Sequence, residues 1–429
     1  MDNIAYSLNS TLKGTIVEDL LTDAGKRLYF PQGIVSQSQA AIKEKSAINA
    51  TAGVALQDGH YITHPLFDQC SAMVSSDDMV SYAPTAGVVA LRKAWVDHVH
   101  QENPILKERE HSLPVVTSGL THAISVISQL FIDERTDIII FNPSWDNYHL
   151  IFHVLHQAKI HNVSLFDEKN ELDVDGWRNE CKNIQGDKIV FLFNFPNNPT
   201  GYTPSAKEME AIKTLLVDLA SKKKKILSII DDAYFGLFHD ETCSQHSLFT
   251  YLLNAHENIL AVKCDAATKE SLVWGFRIGF IMYGSLNLLP SHYDALIEKT
   301  KGAIRCSISS ASMVSQSLLL KVLEDPHYSQ TIQCVKDEMK RRFAKVLECI
   351  HLYQGEDNIL VPFPSNSGYF ISFFYKGNAE TLRLTLLEES VGVVSLGEHI
   401  IRIAYSAVNF ETIDHLIKSL FLGARRLWK

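Results

Sequence analysis

The sequence holds no pair of cysteines at CxxC spacing. Its seven cysteines (Cys70, Cys181, Cys243, Cys264, Cys306, Cys334 and Cys349) are odd in number and scattered, which suggests neither a disulfide framework nor a thiolate metal site and fits a reducing cytoplasm. Uninterrupted apolar runs of bilayer-spanning length are missing as well, so no membrane partner is expected. The first twenty residues include Asp2, Glu18 and Asp19 and lack a basic start followed by an apolar core, which argues against a secretory leader. Nor is there a surplus of positive charge. A formal charge of −9 speaks against nucleic acid, whose phosphates are bound mainly through excess Lys and Arg. The expected partner is a small molecule and the expected location cytoplasmic.

With 429 residues, 46% of them hydrophobic and 21% charged, the chain is long enough for two substantial domains. The lysine run at 221–225 (SKKKK) sits between a helical stretch and an apolar strand, where a solvated helix end favours positive charge. His153 and His156 are three apart on an expected helix, but no carboxylate or cysteine stands beside them at ligand spacing, so no metal is expected.

Short apolar runs recur at 114–117, 137–141, 159–165, 188–193, 226–231, 259–264 and 278–283, with helix-like or loop segments between most of them. Strands alternating with helices call for an α/β fold with a mostly parallel sheet covered on both faces. Ligands of such sheets lie beyond the carboxyl ends of the strands. The rule points to Ser118 and Gly119, to 142–145, to 194–201, to 231–234 and to 265–269.

The residues there have coherent chemistry. In VFLFNFPNNPTG (190–201) an apolar strand runs into Asn197 and Asn198 between two prolines, which stop the strand and hold Asn198 on a stiff backbone. TSGLTHAISVISQL (117–130) is a strand end, a glycine and an apolar helix; the free N–H groups of the first turn at Gly119, Leu120 and Thr121, with the Ser118 and Thr121 hydroxyls, suit a phosphate. Trp145 offers a flat ring to an aromatic ligand. Asp231 and Asp232 are consecutive in an extended chain, so only one can face the ligand, and a carboxylate at an apolar strand end needs a cation or donor. Lys269 lies just past a strand, with Arg277 eight residues on between Gly275 and Gly279. A lysine in a dry pocket near other cations can form a Schiff base, and an arginine fork suits a phosphate dianion. Lysine, aspartate, phosphate site and ring are together the parts that pyridoxal phosphate requires.

NNPTG (197–201), DDAY (231–234) and Lys269 with GFRIG (275–279) resemble the signatures of fold-type I pyridoxal-phosphate enzymes of the class I/II aminotransferase family, in the same order and over about 53–402. YAPTAGVVALRKAW (82–95), NPSWDNY (142–148) and IRIAYS (401–406) resemble further family segments. The resemblance implies a mixed, mostly parallel seven-stranded sheet with helices on both faces, in a large cofactor-binding domain at 60–310. A small α+β domain would combine 1–59 and 311–429.

The same resemblance implies roles. Lys269 would carry the cofactor and act as general base and acid. Asp231 would keep the pyridine nitrogen protonated, while Asn198 and Tyr234 would contact the ring hydroxyl oxygen. Ser118, Gly119, Leu120, Thr121 and Arg277 would hold the phosphate, and Trp145 would stack on the ring. Tyr82 would reach the phosphate of a neighbouring subunit in a homodimer. Arg402 would take the substrate α-carboxylate, Gly53 would approach the substrate through its backbone, and Arg305, from the second subunit, would read an acidic side chain. One departure is Ala266, where the family usually has a phosphate-contacting serine; Thr268 is the candidate substitute. The expected activity is transfer of an amino group from an acidic or aromatic L-amino acid to a 2-oxo acid such as 2-oxoglutarate. A pyridoxal-phosphate β-lyase or synthase, or a non-catalytic cofactor-binding regulator, are the alternatives.

Overall fold

The computed structural model describes residues 2–29, 33–70 and 74–428; the Cys70 side chain lies outside the described part. Each of the seven apolar runs forms a strand: β1 Val115–Thr117, β2 Asp137–Asn142, β3 Lys159–Ser164, β4 Lys188–Asn194, β5 Lys225–Asp231, β6 Ile259–Ala266 and β7 Gly279–Gly284. They make one sheet in the order β1-β7-β6-β5-β4-β2-β3. Its neighbours pair in parallel except β7, which is antiparallel to both β1 and β6. The runs read as continuously apolar because both faces are buried. Along β4, Ile189, Phe191 and Phe193 enter the core on one face, and Val190 and Leu192 enter the core on the other.

Helices α1 (Val89–Glu102) and α3 (Ala206–Ser221) cover the first of these faces; α2 (Leu120–Phe131) and α4 (Pro290–Ser307) contribute to the second. Helix α3 starts on a capping box, in which Ser205 and Glu208 satisfy each other's backbone N–H groups. It ends at Ser221, so the lysine run marks a helix end, and Lys224 donates to the carbonyls of Ile184 and Gly186. His153 lies in a π-helical turn at Leu150–Val154, but His156 falls beyond its end, which corrects the expectation of a shared helix. The two rings go separate ways, His153 to the Ala158 carbonyl and His156 to the Ser128 hydroxyl.

A second, four-stranded antiparallel sheet joins β8 (Leu360–Pro362), β9 (Phe370–Tyr375), β10 (Val394–Leu396) and β11 (Ile400–Ala404) in the order β8-β9-β11-β10. Its core includes Phe343, Val346 and Ile350 from the long helix Tyr328–Tyr353, together with Leu416, Leu420 and Phe421 from the helix Ile413–Trp428. The early segment Ile48–Asn49 pairs in parallel with Val391–Gly392, which ties residues near 50 to this second core.

Candidate active site

The carboxyl ends of β2, β4, β5 and β6 and the start of α2 open into one cleft of about 290 Å³, closed from the other side by Gly53, Phe370 and Arg402. Leu120, Thr121, Trp145, Asn198, Asp231, Tyr234, Thr268, Lys269 and Arg277 line it. Ser118 and Gly119 stand immediately before the helix that supplies two of these residues. Tyr82 and Arg305 are exposed and do not line the cleft of their own chain.

Asp231, only 2% exposed, ends β5. Its carboxylate accepts from the Tyr148 hydroxyl at 2.6 Å and from the Ala233 N–H at 3.0 Å. Burial raises its proton affinity, and these donors together with Lys269 oppose that. Lys269 begins no strand of its own. It sits in the turn after β6, its Nζ 4.9 Å from the centroid of the Tyr234 ring. Burial and, in the same direction, Arg277 lower its pKa to about 8 against the pull of Asp231.

The two asparagines divide their work. Asn197 is buried and caps its own turn, accepting from the Thr200 N–H at 3.1 Å and its hydroxyl at 2.8 Å. Asn198 is held by its backbone, which donates to Asn194 Oδ1 at 2.7 Å, and its side-chain oxygen accepts from Arg402 Nη1 at 3.1 Å in the cleft. Asn194 in turn donates to the Asp231 carbonyl at 3.0 Å, locking the ends of β4 and β5 together. Arg402, on β11, is 1% exposed and also donates to the Thr51 carbonyl at 2.7 Å. Its Nε has no hydrogen-bond partner among the described residues, its guanidinium carbon lies 4.3 Å from the centroid of the Phe370 ring, and burial lowers its pKa to about 10. A buried guanidinium with an unused donor edge is prepared for an anion.

At the opposite end, Gly119 (φ +79°) turns the chain into α2; its own N–H donates to the Thr117 carbonyl at 2.9 Å, which corrects the expectation that it is free for a phosphate. A Cβ there would lie 2.6 Å from an Arg277 guanidinium nitrogen. Arg277 itself adopts the left-handed region (φ +54°, ψ +53°). A Cβ on Gly279 would come within 2.6 to 2.9 Å of the backbone of Gly119 and Leu120. The glycines thus let guanidinium and helix N-terminus converge, a cradle for a phosphate. Ala266 is buried at the end of β6, and Thr268 is the hydroxyl residue of that turn lining the cleft.

Anion cradle, amine, buried carboxylate and flanking Trp145 ring match the phosphate, aldehyde, ring nitrogen and ring face of pyridoxal phosphate, so the residues present fit that group. Tyr148 and Asn194 received no role from the sequence, although Tyr148 closes the NPSWDNY segment and Asn194 opens the loop at 194–201.

A profile of the family described as aminotransferase class I and II matches residues 52–420. A histidinol-phosphate aminotransferase 1 of Bacillus thuringiensis is 30% identical over 273 residues, 62% of this chain and 63% of that protein, so the chain spans less than two thirds of that relative's length. The mitochondrial aspartate aminotransferase of Saccharomyces cerevisiae is 23% identical over 427 residues, covering 90% of each chain. Among solved structures, an aminotransferase from Anaerococcus prevotii superposes with a TM-score of 0.81 at 25% identity, over 92% of this chain and 98% of that one. The chain belongs to the class I and II aminotransferase family.

Proposed function

We propose that the chain is a pyridoxal-phosphate-dependent aminotransferase that moves an amino group from an L-amino acid, acidic or aromatic, to a 2-oxo acid such as 2-oxoglutarate. The observation that carries this reading is the placement of Lys269, with its lowered proton affinity, in a cleft between buried Asp231 and the free edge of Arg402. When bound, pyridoxal phosphate supplies an aldehyde that takes up an amine and a pyridinium ring that draws electrons from the substrate Cα. Asp231 keeps the ring nitrogen protonated, and Asn198 and Tyr234 hold the ring hydroxyl oxygen. Arg277, Ser118, the N–H groups at Leu120 and Thr121, and Thr268 would bind the phosphate, with Gly119 leaving room for it; Trp145 would cover the ring.

Arg402 would take the α-carboxylate, and Gly53 leaves room beside it: a Cβ there would lie 2.7 Å from the Phe370 ring and 3.1 Å from the Tyr234 hydroxyl. Lys269, once neutral, would take the proton from Cα as a base and deliver it as an acid to the carbon of the former aldehyde. Two subunits complete each other, with Tyr82 reaching the neighbour's phosphate and Arg305 the neighbour's substrate side chain. Residues 60–310 form the large unit, and 1–59 with 311–429 the small one.

The test is spectroscopic. Purified protein mixed with pyridoxal phosphate is expected to gain a visible band that Lys269→Ala lacks. Aspartate, glutamate, phenylalanine, alanine and histidinol phosphate are then offered separately. Loss of the band with a donor, reversed by 2-oxoglutarate, is the expected result; ammonia and pyruvate formed without an acceptor acid would replace this reading by a lyase.

A further inference from the structure

On the face of the sheet turned away from the cleft, directly behind Asp231, lies a buried ion-pair cluster. Side chains alternate along a strand, so Asp232 points opposite to Asp231, and on β6 Lys263 and Asp265 point opposite to Cys264, the residue in register with Asp231. Lys263 Nζ lies 2.5 Å from Asp232 Oδ2 and 3.0 Å from Asp265 Oδ2, with both lysine and Asp232 side chains 1% exposed. The Ser247 hydroxyl donates to the same Asp232 oxygen at 2.6 Å, and the ammonium stands 5.0 Å from the centroid of the Phe235 ring. The next charged pair on this face is Glu270 with His98, 3.1 Å apart, and Glu270 directly follows Lys269.

Burying an ammonium and two carboxylates is costly, and a hydrophobic replacement of the same volume is often more stable. Fold stability therefore gives a weak reason for the cluster. Its placement gives a better one, because it ties β5 to β6 at the ends from which Asp231 and Lys269 project. It also sets a positive charge against Asp232 and Asp265, and Asp265 would otherwise push a proton onto Asp231.

We infer that Lys263, clamped between Asp232 and Asp265, is a positioning residue that acts through Asp231, holding its carboxylate aimed into the cleft and ionised. The inference rests on the proposed pyridoxal-phosphate reading.

The experiment measures the dissociation constant for pyridoxal phosphate, with thermal melting of the cofactor-free protein alongside. Lys263→Met is expected to weaken binding roughly tenfold in the native background and less than about twofold when Asp231→Asn is already present, since coupled residues give non-additive effects. Lys263→Arg, which keeps the charge, should restore most of the affinity. Asp232→Asn, nearly isosteric, is measured beside it and should weaken binding in the same direction even if Lys263→Met does not fold. Equal weakening in both backgrounds would reduce the cluster to a structural role and overturn the inference, as would native affinity in both Lys263→Met and Asp232→Asn. Native protein that takes up no cofactor at all would instead overturn the aminotransferase reading.

Discussion

Lys269 has to lose a proton before it can attack an aldehyde or accept a proton from Cα. With its pKa lowered to about 8, the rate at which the protein captures pyridoxal phosphate should rise as pH approaches 8 and level off above it, as stopped-flow absorbance would show. Asp231 stabilises the ammonium form, so Asp231→Asn should move that plateau to lower pH; a shift upward would contradict the electrostatic assignment. Tyr148→Phe removes a 2.6 Å hydrogen bond to the buried Asp231 carboxylate. Bonds to charged groups contribute about 2 kcal/mol, so cofactor binding should weaken by roughly thirtyfold, measured by titration of the visible band.

At the scale of elements, the cradle depends on three chain segments meeting without side chains between them. Gly279→Ala would drive a methyl group against the Gly119 and Leu120 backbone, and neither β7 nor the start of α2 can retreat, because both are packed into the core. The expected outcome is a lower melting temperature together with loss of phosphate-dependent binding, seen by comparing pyridoxal phosphate with pyridoxal. The strands of the main sheet were legible because burial on both faces leaves continuous apolar runs, from DIIIF to IGFIMY. The loop residues were legible because the chemistry sits at strand ends, where polar side chains interrupt those runs. Tyr148 escaped notice since a tyrosine near the start of a helix looks like packing until a carboxylate 83 residues away is seen to need its hydroxyl. Lys263 escaped for the opposite reason: inside ILAVKC it shares a strand face with Asp265, but its second carboxylate partner, Asp232, meets it only once β5 and β6 are paired.

At the scale of the whole molecule, Tyr82 is 95% exposed although the next residue, Ala83, and Leu91 and Trp95 further along its segment are buried. If it completes a neighbour's site, mixing inactive Lys269→Ala subunits with impaired Tyr82→Ala subunits should regain activity, because a hybrid dimer keeps one site with neither change. Random exchange would leave about one quarter of the sites intact, and activity staying at the sum of the two separate variants would refute the composite site. The cleft is also shared within the chain, since Lys269 follows the end of a strand of the larger sheet and Arg402 lies on a strand of the smaller one. The reversed direction of β7 has an outcome of its own. In a wholly parallel sheet the segment after Lys269 would have to travel back across the molecule before the next strand could begin. Here the chain doubles over at once, so nine consecutive residues, 269–277, carry both the reactive amine and the guanidinium of the anion cradle. Under the proposed reading, two chemical handles for one ligand therefore lie on one short stretch of chain, whose length fixes how far apart they can stand.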